Sequence, residues 1–127
     1  MADDTRLRGL RIVLVAAGLV CVFGFYPLTV LWPSGWTSGE GHSHYLMMIV
    51  GLYATLGVFL LLAARDPLGH ASLIWFTVWS SVVHALIMAG QAITDPHERG
   101  HLLGDVPVLI VVAVALAALM PRGRRTV

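Results

Sequence analysis

Four apolar stretches, separated by short polar segments, dominate the pattern of the chain. They lie at about 10–32, 45–64, 71–93 and 106–120. An α-helix rises 1.5 Å per residue, so about 20 apolar residues cross the roughly 30 Å of hydrocarbon in a bilayer. The first three stretches reach that length, and the fourth does so only if Leu102 and Leu103 join it. The pattern predicts an all-α fold over residues 1–127, an antiparallel up-down bundle of four membrane-spanning helices.

Composition strengthens the membrane interpretation and argues against a nucleic-acid partner. Hydrophobic residues make up 57% of the 127 residues and charged residues 12%, whereas soluble domains average about 45–50% and 25%. The net charge is +1, and the chain contains no Lys. The Arg residues flank the apolar stretches and do not line one basic face, so we expect a lipid bilayer and not nucleic acid as the partner.

The Arg residues also predict an orientation. Most of them lie before the first apolar stretch, after the second and after the fourth: Arg6, Arg8, Arg11, Arg65, Arg122, Arg124 and Arg125. Cytoplasmic segments carry the excess of positive charge in membrane proteins. We therefore expect a multi-pass protein of the inner (plasma) membrane with both termini in the cytoplasm. The first stretch is longer than the apolar core of a signal peptide and is expected to stay as a spanning helix.

Residues 97–101 read HERGH, which matches the H-E-x-x-H pattern of zinc proteases. Asp95 and Pro96 precede it and are typical of a helix N-cap and first position. They predict a short interfacial helix over 96–103 on the outer face, with Glu98 contributing to its cap. A zinc protease also needs a third ligand and a substrate cleft, and the apolar stretches hold no Asp or Glu. The sequence therefore favours a helix start and leans against an enzyme.

The third apolar stretch carries a polar stripe. Thr77, His84 and Gln91 are seven residues apart, and Ser80 and Ser81 lie one turn before His84. Polar groups that face lipid lose water without replacement, so we expect the stripe to face the bundle interior. An ionisable residue inside a membrane is a candidate functional residue. The alternative is that His84 is a hydrogen-bonded core residue that only specifies helix packing.

Histidines and carboxylates in the two outer connections could complete a metal site with His84. An antiparallel bundle brings the connections at 33–44 and 94–105 to the same membrane face. The predicted ligands are His44, His84, Glu98 and His101, with Glu40, His42 and His97 as additional candidates. Such ligands suit Zn, Cu or Fe. A haem held by two His is an alternative that the sequence favours less, and solvated loops without metal are another.

Three segments resemble a known family: LLAARDP at 61–67, SLIWFTVWSSVVHALIM at 72–88 and ERGHLLGDVP at 98–107. They are similar to segments of small bacterial four-helix membrane proteins classed as a domain of unknown function. The resemblance covers about residues 43–121. It implies a four-helix architecture in a bacterial inner membrane, but no reaction, cofactor or partner, so it assigns no role to any residue.

Three functions remain as expectations, in this order. The first is a small membrane protein that binds a metal or a redox cofactor through the outer-face His/Glu cluster. The second is an accessory or scaffold subunit of a larger membrane complex, in which the polar stripe specifies packing. The third is a homo-oligomeric transporter or channel, which the sequence favours least because it shows no repeat or broken helix pair.

Overall fold

The computed structural model describes residues 2–31 and 44–122. The helices are α1 (Ala2–Leu19), a π-helical turn (Val20–Gly24), α2 (Phe25–Leu31), α3 (His44–Ala63), α4 (Ala71–Thr94), a 3-10 helix (Pro96–Leu102) and α5 (Asp105–Leu119). The described ranges contain no β-strand, which confirms the all-α prediction. Because α1, the π-helical turn and α2 follow each other without a break, the described residues form four long helical segments.

The first helix begins earlier than its apolar stretch. It starts at Ala2, and Asp3 and Asp4 lie in its first turn. Negative side chains near a helix N-terminus interact favourably with the helix dipole. Leu10 and Leu14 then fall on the buried side of the helix. The apolar pattern therefore predicts the packed part of this helix. It does not predict the charged first two turns, where Asp3 and Asp4 interact favourably with the helix dipole.

The π-helical turn at Val20–Gly24 lies just before Pro27. A proline has no amide hydrogen, and its ring crowds the carbonyl of the residue four positions earlier. That residue is Phe23, which lies within the π-helical turn. The wider turn relieves this crowding, and the helix continues to Leu31. Pro27 therefore modifies the first helical segment without ending it.

The four segments form a ring with one open seam. The first segment packs against both α3 and α5, and α5 packs closely against α4, but α3 and α4 make only light contact. The core lies at the end of the bundle near the α3–α4 turn. All four segments contribute to it: Leu10, Leu14, Leu60, Ala63, Ile74, Val78, Ala113 and Leu116. The bundle is thus closed at this end and less tightly packed along the seam.

Two glycines allow a close approach of α1 and α3. A Cβ atom on Gly57 would lie 2.7 Å from the carbonyl oxygen of Gly18 and 2.8 Å from the Cβ of Cys21. A Cβ atom on Gly18 would lie 2.9 Å from the carbonyl oxygen of Gly57. Because these neighbours include backbone, any larger side chain must push the helices apart. The packing of α3 on α1 therefore depends on glycine at both positions.

Among the residues that the structure describes, two helices are long and apolar enough to span a bilayer, Asp3–Gly24 and Ala71–Thr94. Met47–Ala63 and Asp105–Leu119 are shorter apolar helices. At 1.5 Å per residue, the 15 residues of α5 extend about 22 Å, less than the hydrocarbon thickness of about 30 Å. The structure thus gives two candidate spans, and the crossing of the other two helices stays a prediction.

Candidate functional site

A hydrogen-bonded pair joins α3 to α4 halfway along the bundle. The hydroxyl of Tyr53 and Nδ1 of His84 share a hydrogen bond. Their rings lie 5.9 Å apart, with an angle of 36° between the ring planes. Both side chains are half-buried. His84 therefore faces α3, and a tyrosine from that helix meets it.

The two residues meet because they lie at the same depth. Tyr53 is nine residues after the start of α3, and His84 is ten residues before the end of α4. Since the helices are antiparallel, each residue lies about 14–15 Å from the same end of the bundle. Their pairing follows from helix length and direction without any change in backbone geometry.

The pair lines a cleft of about 440 Å³ between α3 and α4, hereafter the α3–α4 cleft. Its lining residues are Ile49, Leu52, Tyr53, Thr55, Leu56, Phe59, Leu73, Phe76, Ser80, Ser81 and His84. The volume is in the range of small-molecule sites, about 300–1,000 Å³. None of the described lining residues is Asp, Glu, Lys or Arg. The cleft is therefore a mostly apolar cavity with a few polar groups in its outer half and centre.

The polar stripe of α4 faces the interior over most of its predicted length. Thr77 and Ser81 are buried, and Ser80 is half-buried. The Thr77 hydroxyl donates to the carbonyl of Leu73 at 2.9 Å, and the Ser80 hydroxyl donates to the carbonyl of Thr77 at 3.2 Å. These hydrogen bonds within the helix allow hydroxyl groups to line an apolar surface at little cost.

Gln91 differs from the sequence expectation, because its side chain is exposed. A straight α-helix drifts by about 20° for every seven residues. Two such steps separate Thr77 from Gln91, so the seven-residue stripe rotates away from the interior. The inward part of the stripe therefore ends at His84.

Asp105 adds a buried carboxylate near the pair. It is the first residue of α5, and only 8% of its surface is exposed. It lies near enough to Tyr53 to act electrostatically on the tyrosine hydroxyl. A negative side chain at a helix N-terminus also interacts favourably with the helix dipole. Tyr53, His84 and Asp105 thus come from three helices and give the otherwise apolar bundle a polar region.

The HERGH segment adopts a 3-10 helix and not an α-helix. Asp95 is its N-cap and accepts a hydrogen bond at 2.9 Å from the amide of His97, and Pro96 occupies the first position. A helix therefore begins at this point of the chain. A 3-10 helix has 3.0 residues per turn, so backbone positions four apart point about 120° from each other. The zinc-protease pattern needs both positions on one face, which this backbone does not provide.

The predicted metal cluster stays a prediction. His44 is exposed at the start of α3, His97 is exposed in the 3-10 helix, and His84 contacts Tyr53. The backbone places Glu98 and His101 in the 3-10 helix, but their side chains lie outside the described part, as do Glu40 and His42 entirely. Within the described part of the chain, no three His, Cys, Asp or Glu side chains are grouped to hold a metal ion.

Sequence reasoning missed Tyr53 and the burial of Asp105. Tyr53 could have been found from its position along the helix. In two antiparallel helices, Tyr53 and His84 are nearly the same number of residues from the outer end, so they lie at the same level. Its position also matches the apolar spacing of Ile49, Leu56 and Leu60, which predicts one face of a helix. Asp105 gave no comparable signal, since a helix-starting Asp is usually solvated.

A sequence model for a family of unknown function, DUF6632, matches residues 4–125. Comparison with curated proteins gave no match, and comparison with solved structures gave none either. The family match extends beyond the three resembling segments and confirms the resemblance to a domain of unknown function. The chain therefore belongs to DUF6632, a family of unknown function.

Proposed function

We propose that the protein crosses a membrane four times and binds a lipid-soluble small molecule in the α3–α4 cleft. In this proposal both termini are cytoplasmic, and the HERGH segment lies on the outer face. The observation that carries the binding role is the hydrogen-bonded Tyr53–His84 pair on the wall of an otherwise apolar cleft. Small-molecule sites commonly combine an apolar lining with a few placed polar groups.

The exposed surface supports a membrane location. Only 17% of the apolar window in Asp3–Gly24 is buried, and only 33% of that in Ala71–Thr94, whereas a core helix of a soluble protein is mostly buried. Large exposed apolar side chains run along α4 and α5: Trp75, Phe76, Trp79, Val83, Leu86, Ile87, Ile93, Val108, Ile110, Val111 and Val114. Soluble monomers rarely expose continuous apolar surface of this kind, so lipid is its natural solvent.

The position of the cleft supports entry from the bilayer. Its exposed lining residues, among them Leu52, Phe59 and Phe76, lie within α3 and α4, each at least four residues from either end of its helix. The opening therefore faces sideways, along the seam between the two helices. In a membrane, a sideways opening at this depth admits molecules that are dissolved in lipid.

The other roles expected from the sequence stay predictions. A metal or redox-cofactor site would use side chains of the outer face as ligands, and most of these lie outside the described part of the chain. A scaffold subunit or a homo-oligomeric transporter would use the exposed faces of α4 and α5 to contact protein. Purification in mild detergent separates the scaffold and transporter roles from ours, because those two require a stable partner or oligomer and ligand binding in the cleft does not.

Filling the cleft should weaken binding. Ser80 lines the cleft, so Ser80→Phe places a ring inside it, whereas Leu86→Phe changes an exposed α4 residue that does not line it. The probe is a long-chain alcohol with a diazirine in the middle of its chain, added to protein in phosphatidylcholine nanodiscs. We expect Ser80→Phe to lower photolabelling of α3 and α4 peptides by about tenfold, a change of about 1.4 kcal/mol in binding.

The control variant decides the interpretation. Leu86→Phe should keep labelling within about twofold of the unchanged protein, and circular dichroism should show equal helix content in both variants. If Ser80→Phe labels as strongly as the unchanged protein, the α3–α4 cleft is not a ligand site and the proposed function is wrong.

A further inference from the structure

We propose that the ligand is an uncharged amphiphile, a long apolar molecule with a hydroxyl or carbonyl at one end, which it places against Tyr53 and His84. This inference rests on the proposed function and specifies its ligand class. The cleft favours one orientation, because its polar groups all lie in its outer half or centre and its inner end is entirely apolar.

The first support is that separation. Tyr53 and His84 lie in the outer half of the cleft, beside Ile49 and Leu52, and Ser80 and Ser81 lie one turn further in. Phe59, Leu73 and Phe76 line the inner end and offer only hydrocarbon and aromatic contacts. A ligand that satisfies both ends must carry its hydrogen-bonding group at one end and a long apolar body behind it.

The second support is charge. The described lining residues include no Arg or Lys that could neutralise a phosphate or a carboxylate. Asp105 acts electrostatically on Tyr53, so an anionic group beside that tyrosine meets a nearby carboxylate as well. Burying an unpaired charge in apolar surroundings is strongly unfavourable. Phospholipids and fatty-acid anions therefore fit poorly, whereas a neutral hydroxyl or carbonyl fits.

The third support is the hydrogen-bonding capacity of the pair. A tyrosine hydroxyl both donates and accepts, and a neutral imidazole carries one donor and one acceptor nitrogen. Such a pair can serve a ligand hydroxyl or a ligand carbonyl. Hydrogen bonds of this kind change affinity by about three- to tenfold when the ligand group is removed.

Competition against the photoreactive long-chain alcohol tests the ligand class. Three competitors share one chain length: the plain alcohol, the matching fatty acid and the matching alkane. With the unchanged protein in phosphatidylcholine nanodiscs at neutral pH, we expect the alcohol to compete about three- to tenfold better than the alkane. The fatty acid should compete more weakly than the alcohol. In Tyr53→Phe and in His84→Phe, the advantage of the alcohol over the alkane should disappear, while the alkane still competes.

Three other results are possible, and each would contradict a different part of the proposal. Equal competition by alcohol and alkane in the unchanged protein means that the cleft accepts any acyl chain and that the polar pair selects nothing. Stronger competition by the fatty acid means that the ligand is anionic. If no competitor lowers labelling of α3 and α4, and Ser80→Phe leaves it unchanged, the binding site itself is absent and the proposed function fails together with the ligand class.

Discussion

Replacing Gly57 with alanine should destabilise the protein by about 1–3 kcal/mol, the usual cost of forcing an extra group into packed helices. The new methyl group would lie 2.7 Å from the carbonyl oxygen of Gly18 and 2.8 Å from the Cβ of Cys21. Neither neighbour is the free end of a flexible side chain, so α1 and α3 must separate. Gly57→Leu should prevent the two helices from packing. The measurement is the free energy of unfolding in lipid bicelles.

Gly51 provides the matched control on the same helix. A Cβ atom on Gly51 would meet no atom within 4 Å. Alanine is favoured over glycine inside helices by about 1 kcal/mol, so Gly51→Ala should be neutral or stabilising. Equal effects of the two substitutions would mean that α1 and α3 do not approach each other at Gly18 and Gly57.

Introducing a charge at Val83 should be costly only if the exposed face of α4 contacts lipid. Val83 is 53% exposed and lies in the middle of Ala71–Thr94. Arginine at the centre of a spanning helix costs about 2.5–3.5 kcal/mol on insertion scales. On a water-exposed surface, such a substitution usually changes stability by less than about 0.5 kcal/mol. We therefore expect Val83→Arg to lower the free energy of unfolding in bicelles by about 3 kcal/mol.

Leu68→Arg is the control for this prediction. Leu68 is also exposed, but it lies in the turn between α3 and α4, which we place at the cytoplasmic membrane surface beside Arg65. Its replacement should be nearly neutral. If Val83→Arg is as mild as Leu68→Arg, the exposed face of α4 does not lie in lipid, and the membrane location proposed for this helix is wrong.

The all-α fold class could be predicted from the sequence, because long apolar stretches without charged residues are typical of membrane-spanning helices. The start of the 3-10 helix at Asp95 and Pro96 could also be predicted, since capping is a local interaction. The start of the first helix at Ala2 was missed, because the apolar pattern carries no information about charged helix ends. The presence of helices and their local caps can thus be predicted from the sequence. The first and last residues of a helix depend on interactions at its ends that the apolar pattern does not contain.

The site could be predicted only in part, for a geometric reason. Periodicity placed His84 on an inward face, but it does not say which helix lies opposite, and that choice determines its partner. The partner, Tyr53, lies 31 positions earlier in the chain. Gln91 was placed inward because a seven-residue spacing was treated as exactly two helical turns. Pairing between helices therefore needed the three-dimensional structure.

In the proposed topology all four helical segments cross the membrane, and cysteine labelling can test each crossing. In a Cys21→Ala background, single cysteines replace Asp4, His44, Leu68, His97 or Arg122 in intact cells, and a membrane-impermeant maleimide is added. Four crossings predict labelling at 44 and 97 without permeabilisation, and at 4, 68 and 122 only after it. Labelling of 44 and 68 from the same side would show that α3 does not cross, and labelling of 97 and 122 from the same side would show that α5 does not. Either result would contradict the four-span membrane protein proposed here.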